Sequence, residues 1–134
     1  MSSLPNSNPQ IAEEWLNRAA WRYATGGRVL EETGDTKEAV RDFASAAELA
    51  LKSVYITAGS LFPRTRNVSE PVEECPVPSA KDAVEGYPDE FVKDFSRNYP
   101  APYVSARPVP EAEVEECRRF SERILEWAEG VIAG

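Results

Sequence analysis

The side chains of this sequence that could move a proton near neutral pH are of an uneven kind: it holds 23 Asp and Glu residues and no histidine. That absence removes several chemistries at once. A zinc peptidase site, a Ser-His-Asp triad and a Cys-His pair all require an imidazole. Carboxylates stand as neighbours at Glu13/Glu14, Glu31/Glu32, Glu73/Glu74 and Glu115/Glu116. Neighbours on a helix point about 100° apart, so these pairs read as solvated faces rather than catalytic dyads. Gly26-Gly27 does not make a phosphate loop, because it lies inside a helical pattern and no Lys-Ser or Lys-Thr follows at P-loop spacing. Cys75 and Cys117 lack metal-site spacing and are expected to be buried apolar thiols, with a bridge between them as the alternative. No metal and no cofactor are expected.

The net charge of -8 argues against a general affinity for nucleic-acid phosphates, which needs clustered Lys and Arg. It leaves room for a local basic pocket. Residues 1–10 read as a disordered tail: they are polar, carry Pro5 and Pro9, and lack the apolar run of a signal peptide. Residues 11–132 read as one domain, large enough to bury about two-thirds of its unfolded surface. No stretch approaches the roughly 20 apolar residues of a membrane span. A cytoplasmic address and no membrane partner are expected.

Any site must be positioned by helices. From Ile11 to Thr33 apolar or small residues recur at Ala12, Leu16, Ala19, Ala20, Tyr23, Gly27 and Leu30, a helical stripe. Gly26 and Gly27 lower helix propensity by about 1 kcal/mol each relative to alanine, which predicts a neighbouring helix at close range. Asp35 with Glu38 resembles a capping box, so a second helix starts near Thr36. Its stripe is Val40, Phe43, Ala44, Ala47, Leu51, Val54, Tyr55 and Ala58, widened by Ala39, Ala46 and Ala50. An apolar arc that wide belongs to a central helix, and Gly59 suits its C-terminal cap.

Between residues 60 and 81, four prolines leave room for one short helix, Val68 to Glu74. Another is expected from Pro88 to Asn98, with Phe91, Val92 and Phe95 inward. The proline-rich passage from Tyr99 to Pro110 is irregular. The last helix runs from Glu111 to Val131 on Val114, Cys117, Ser121, Ile124, Leu125, Ala128 and Val131, flanked by Phe120 and Trp127, with acidic residues at its N-terminus. No alternating strand pattern appears. The class is all-α: an up-and-down bundle of three long helices with one or two short ones, mostly antiparallel.

Six passages, in order, carry a family resemblance. Trp15-Leu-Asn-Arg-Ala-Ala opens the first helix, and Leu30-Glu-Glu-Thr-Gly-Asp closes it. Ala47-Glu-Leu-Ala-Leu-Lys-Ser leads to Gly59 and then to Phe62-Pro-Arg-Thr-Arg-Asn-Val. Tyr103-Val-Ser-Ala-Arg107 precedes the last helix, and Leu125-Glu-Trp-Ala-Glu ends it. Together they resemble the HEPN (higher eukaryotes and prokaryotes nucleotide-binding) family over about residues 11–130. The resemblance implies a small helical domain and a homodimer, whose face is expected on the exposed side of Trp21 and Trp127. Lys52 falls at the family's lysine. Arg66 stands where the family usually has a histidine, and Pro108 where an aromatic commonly follows the arginine.

What the resemblance implies for function follows from those two departures. Active HEPN ribonucleases combine an arginine with a histidine a few residues downstream. Metal-independent RNA cleavage needs a group that takes the 2′-hydroxyl proton near neutral pH. Arginine stays protonated, and tyrosine is a poor base at its usual pKa of about 10. Lys52, Arg66 and Arg107 are the implied ligand-binding residues, a small basic patch fit for a nucleotide or other anion. The expected role is the non-catalytic component of a toxin–antitoxin type pair whose companion is a minimal nucleotidyltransferase. The alternatives are a ribonuclease toxin that uses Arg107 and Tyr103 on RNA, and a simple nucleotide-binding module. Lys52 could equally be a bundle-edge lysine with a snorkelling stem, Arg66 a partner of Glu70 or Glu73, and Tyr99 and Tyr103 loop anchors.

Overall fold

The computed structural model describes residues 8–64, 68–95 and 109–134, and every regular element among them is helical. Three are long: α1 (Pro9–Thr33), α2 (Thr36–Ala58) and α6 (Glu111–Ala133). Three are short: α3 (Ser69–Glu73), α4 (Ala80–Ala83) and α5 (Asp89–Asp94). The all-α class expected from the sequence is therefore the observed one. It has one more short helix than expected, because α4 follows Pro76 and Pro78 rather than containing them. Proline breaks a helix from inside, not from upstream.

Local chemistry fixes where the long helices begin and end. Asn8 accepts from the Ile11 amide at 3.2 Å and Pro9 is the first helical residue. Residues 8–10 thus belong to the helix start and not to a tail, because the Asn cap and the pre-set φ of proline favour that turn. Gly34, at φ 69°, closes α1 by donating to the Val29 and Leu30 carbonyls. One residue later Asp35 caps α2 by accepting from the Glu38 amide at 3.0 Å. Only that half of the capping box forms. The Glu38 carboxylate is instead engaged by Arg41 at 2.7 Å. So short a turn makes α1 and α2 antiparallel neighbours.

The second helix is the centre of the bundle and packs on both α1 and α6. Its predicted stripe is buried from Ala39 to Tyr55, with Ala39, Val40, Phe43, Ala46, Ala47, Ala50, Leu51 and Val54 at 0% exposure. Ala58 is half-buried. The first helix follows its stripe less closely: Ala20 is exposed while Gly26, outside the stripe, is buried. Ala12, Ala19 and Gly26 fall seven apart and form a line of small residues. A Cβ added to Gly26 would lie 2.7 Å from Phe43 Cε1 and 3.2 Å from the Ala39 carbonyl oxygen. The close approach predicted from the two glycines is thus made by α2 at Gly26. At Gly27 the neighbour is Arg118 of α6, 3.1 Å from such a Cβ.

The sixth helix runs alongside α2 in the same direction and opposite to α1. The Val109 amide donates to Thr36 Oγ1 at 3.2 Å, and Ser121 Oγ donates to the Phe43 carbonyl at 2.8 Å. On the α1 side, Tyr23 Oη donates to Glu122 at 2.9 Å. The segment between α2 and α6 therefore returns the chain to the end of α2 where it began. Its described part is pinned at several points. Tyr55 Oη donates to the Pro71 carbonyl at 2.6 Å, Trp127 Nε1 to Ser79 Oγ at 2.9 Å, and Arg123 to the Asp82 carbonyl at 3.0 Å. Tyr87, Phe91 and Phe95 close over Phe120 with ring centroids 4.9, 5.4 and 4.7 Å away. Phe120 is consequently fully buried rather than flanking the core. Cys75 and Cys117 are not bridged, and Cys75 is half-buried.

Candidate functional site

Because α1 and α2 are antiparallel, the start of α1 lies beside the end of α2, and two aromatic rings meet Lys52 there. Its ammonium stands 5.6 Å from the centroid of Trp15 and 5.4 Å from that of Phe62. Both distances fall within the reach of a cation–π attraction. Phe62 follows the left-handed Gly59 cap and packs edge-on against Tyr55 at 5.0 Å. Arg18, one turn beyond Trp15, also lies over the indole, 5.6 Å from its centroid. Two exposed apolar side chains flank this end: Ile11, and Leu61 at 95% exposure.

The other residues expected to bind or react, Arg66, Arg107 and Tyr103, lie outside the described residues, as does Tyr99. Of the predicted set, the structure places Lys52, and it places it half-buried. Sequence reasoning missed the company Lys52 keeps. Trp15 and Arg18 carried a signal in their three-residue spacing on one helix face. Their meeting with Lys52 depends on the register between two helices and was not visible in either helix alone. Of the two tryptophans expected to mark a dimer face, Trp21 is 59% exposed. Trp127 is half-buried and committed to Ser79.

Other polar groups cluster elsewhere. Asp42 is buried in the α1–α2 contact and accepts from Arg22 at 3.2 Å. Burial pushes its carboxyl above the usual range, although the Arg22 guanidinium opposes the shift. Tyr23 is likewise raised, chiefly by desolvation, between Arg118 and Glu122. Just past the end of α3, a hydrogen bond with the Glu70 carboxyl raises Glu74. An open cleft of about 690 Å³ lies between α3 and α5, with Glu73, Asp82, Glu85 and Asp89 outnumbering Lys81 on its walls. A second, of about 540 Å³, lies beside the α1–α2 turn and is lined by Leu30, Thr36, Glu111 and Glu115. Acidic walls disfavour an anion in either. Among the described residues no group of three or more His, Cys, Asp or Glu could hold a metal ion. None of their helices is long and apolar enough to cross a membrane.

Neither curated proteins nor solved structures yield a match to this chain. The model of the HEPN domain matches residues 12–131, nearly the whole of it. With that span, its order of long and short helices and its central α2, the chain belongs to the HEPN domain family.

Proposed function

We propose that this HEPN domain is a non-catalytic binding component: it holds an anionic ligand, a nucleotide by preference, and serves as partner to a minimal nucleotidyltransferase in a toxin–antitoxin type pair. The observation that carries the reading is the lack of any histidine in a chain that matches the family over residues 12–131. Cleaving RNA without a metal requires a base that is half-deprotonated near neutral pH. Arg66, at the position of the family's usual histidine, stays charged and can stabilise only a phosphate's negative charge. Lys52 supports the binding half of the reading. It is a cation held over two rings, and its ion-pair partners among the described residues are none.

Incubation of RNA with the purified chain and a chelator tests the catalytic half. The RNA is expected to stay intact. Cleavage that disappears in Arg107→Ala would overturn the proposal and establish a ribonuclease built on Arg107 and Tyr103. A thermal-shift series with nucleotides tests binding, since a ligand at one hundred times its Kd raises stability by about 2.7 kcal/mol. Co-purification with a minimal nucleotidyltransferase co-expressed with the chain, and light scattering at tens of micromolar for the homodimer, test the partners.

A further inference from the structure

We propose that Arg18 and Lys52, set around the Trp15 indole, form a seat for the phosphate of a small ligand whose apolar body rests on Ile11 and Leu61. The proposal rests on the anion-binding reading of Lys52 and names a different companion for it, on α1. Both cations lie 5.6 Å from the centroid of one ring, so their charges are at most twice that distance, about 11 Å, apart. Charge-assisted hydrogen bonds of about 2.8 Å to the outer oxygens of a diphosphate reach close to that upper limit, and those to a single phosphate bridge cations about 8 Å apart. The rings leave the cations' donors open, because a cation–π contact uses the charge and not the N–H groups.

Among the described residues neither cation is held in an ion pair. The ion pairs of the described residues are Arg22–Asp42 and Arg41–Glu38, and neither includes Arg18 or Lys52. The two cations differ usefully: guanidinium offers a planar fork and ammonium a compact point charge, a combination that suits phosphate. Phe62 and Trp15 are half-buried, which fixes Lys52 from two sides and lowers the ordering cost of capture. Beside them Ile11 at 40% and Leu61 at 95% exposure offer apolar surface that inorganic phosphate would not use. A phosphate ester with a flat apolar body, as in a mononucleotide, uses both parts.

Calorimetric titration of the full chain at low salt with ATP, AMP, pyrophosphate and inorganic phosphate tests the seat. Wild type is expected to bind, Arg18→Ala and Lys52→Met to lose at least tenfold in affinity, and Lys52→Arg to retain most of it. Arg28→Ala, an exposed arginine on the same helix, serves as the neutral control. Thermal melts of each variant show whether it is folded. Equal affinity for pyrophosphate and ATP would support the seat with free phosphate species as the source, and a preference for ATP or AMP would support it with the nucleotide as the source. Absence of binding by wild type at millimolar ligand, or unchanged affinity in Arg18→Ala, would overturn it. If Arg66→Ala and Arg107→Ala abolish binding while Arg18→Ala does not, the anion-binding function stands and the Trp15 seat falls.

Discussion

Replacing Gly26 by alanine sets two effects of known sign against each other. In a helix interior the substitution gains up to about 1 kcal/mol of propensity. Here the new methyl would stand 2.7 and 2.9 Å from Phe43 Cε1 and Cδ1 and 3.2 Å from a backbone oxygen. Phe43 is fully buried, with Tyr23 5.6 Å away on one side and the Arg118 guanidinium 5.9 Å away on another. The ring has nowhere to swing, so α1 and α2 must separate. Overpacking of that kind costs about 1–3 kcal/mol, and the net expectation is a loss of about 1–2 kcal/mol. Gly130→Ala supplies the reference, because nothing lies within 4 Å of its added Cβ and only propensity changes. It is expected to be neutral or stabilising by up to about 1 kcal/mol. Gly27→Ala should fall between the two, since the obstacle is the far end of Arg118. Urea unfolding followed by helical circular dichroism reads all three at constant m-value. Gly26→Ala as stable as Gly130→Ala would refute the close-approach account.

Substitutions at two further positions test the buried polar groups. Asp42→Ala removes the acceptor of Arg22 and is expected to cost about 1–2 kcal/mol, whereas Asp42→Asn keeps an acceptor and should be neutral or stabilising at pH 7. The sign follows from the raised carboxyl, which makes the folded state prefer the protonated form. Wild type should therefore gain on Asp42→Asn as the pH drops through the carboxylate range, in paired denaturation curves at pH 7 and pH 4. Tyr55→Phe strips the Pro71 carbonyl of its donor and is expected to cost about 1–2 kcal/mol at neutral pH. Burial first, then Cys75, Glu74 and Glu70, push the Tyr55 phenol well up. Its stabilising effect is then complete below the ordinary tyrosine pKa of about 10 and fades as pH climbs beyond it. The gap between Tyr55→Phe and wild type should narrow above pH 10 in alkaline melts.

Much of the framework was legible because the long helices announce themselves by period and punctuation. The second helix could be read almost residue by residue, since its apolar arc is unbroken and Asp35 and Gly59 bracket it. The short helix α4 could not, because Ala80 to Ala83 is too brief to show a period. Gly26 was left out of the apolar stripe because glycine adds no apolar signal of its own, although the glycine pair did predict a close neighbour; that neighbour is Phe43 on another helix. Phe120 was read as flanking because its cover comes from Tyr87, Phe91 and Phe95, more than twenty residues upstream. The same limit applies to the candidate site. Lys52 could be singled out in the sequence, but its placement over Trp15 and Phe62 depends on how two helices and a capped turn come together. Arg66, Arg107 and Tyr103 fall outside the described residues.

The bond from the buried Ser121 hydroxyl to the Phe43 carbonyl joins the middle of α6 to the first half of α2, deep in the interior. A piston-like slide of one past the other by a turn would leave the Ser121 hydroxyl without that acceptor among hydrocarbon side chains. Relative sliding of the two innermost rods is thereby disfavoured. The short helical belt of α3 to α5, fastened by a few side-chain ties, is the part of the molecule left to give way.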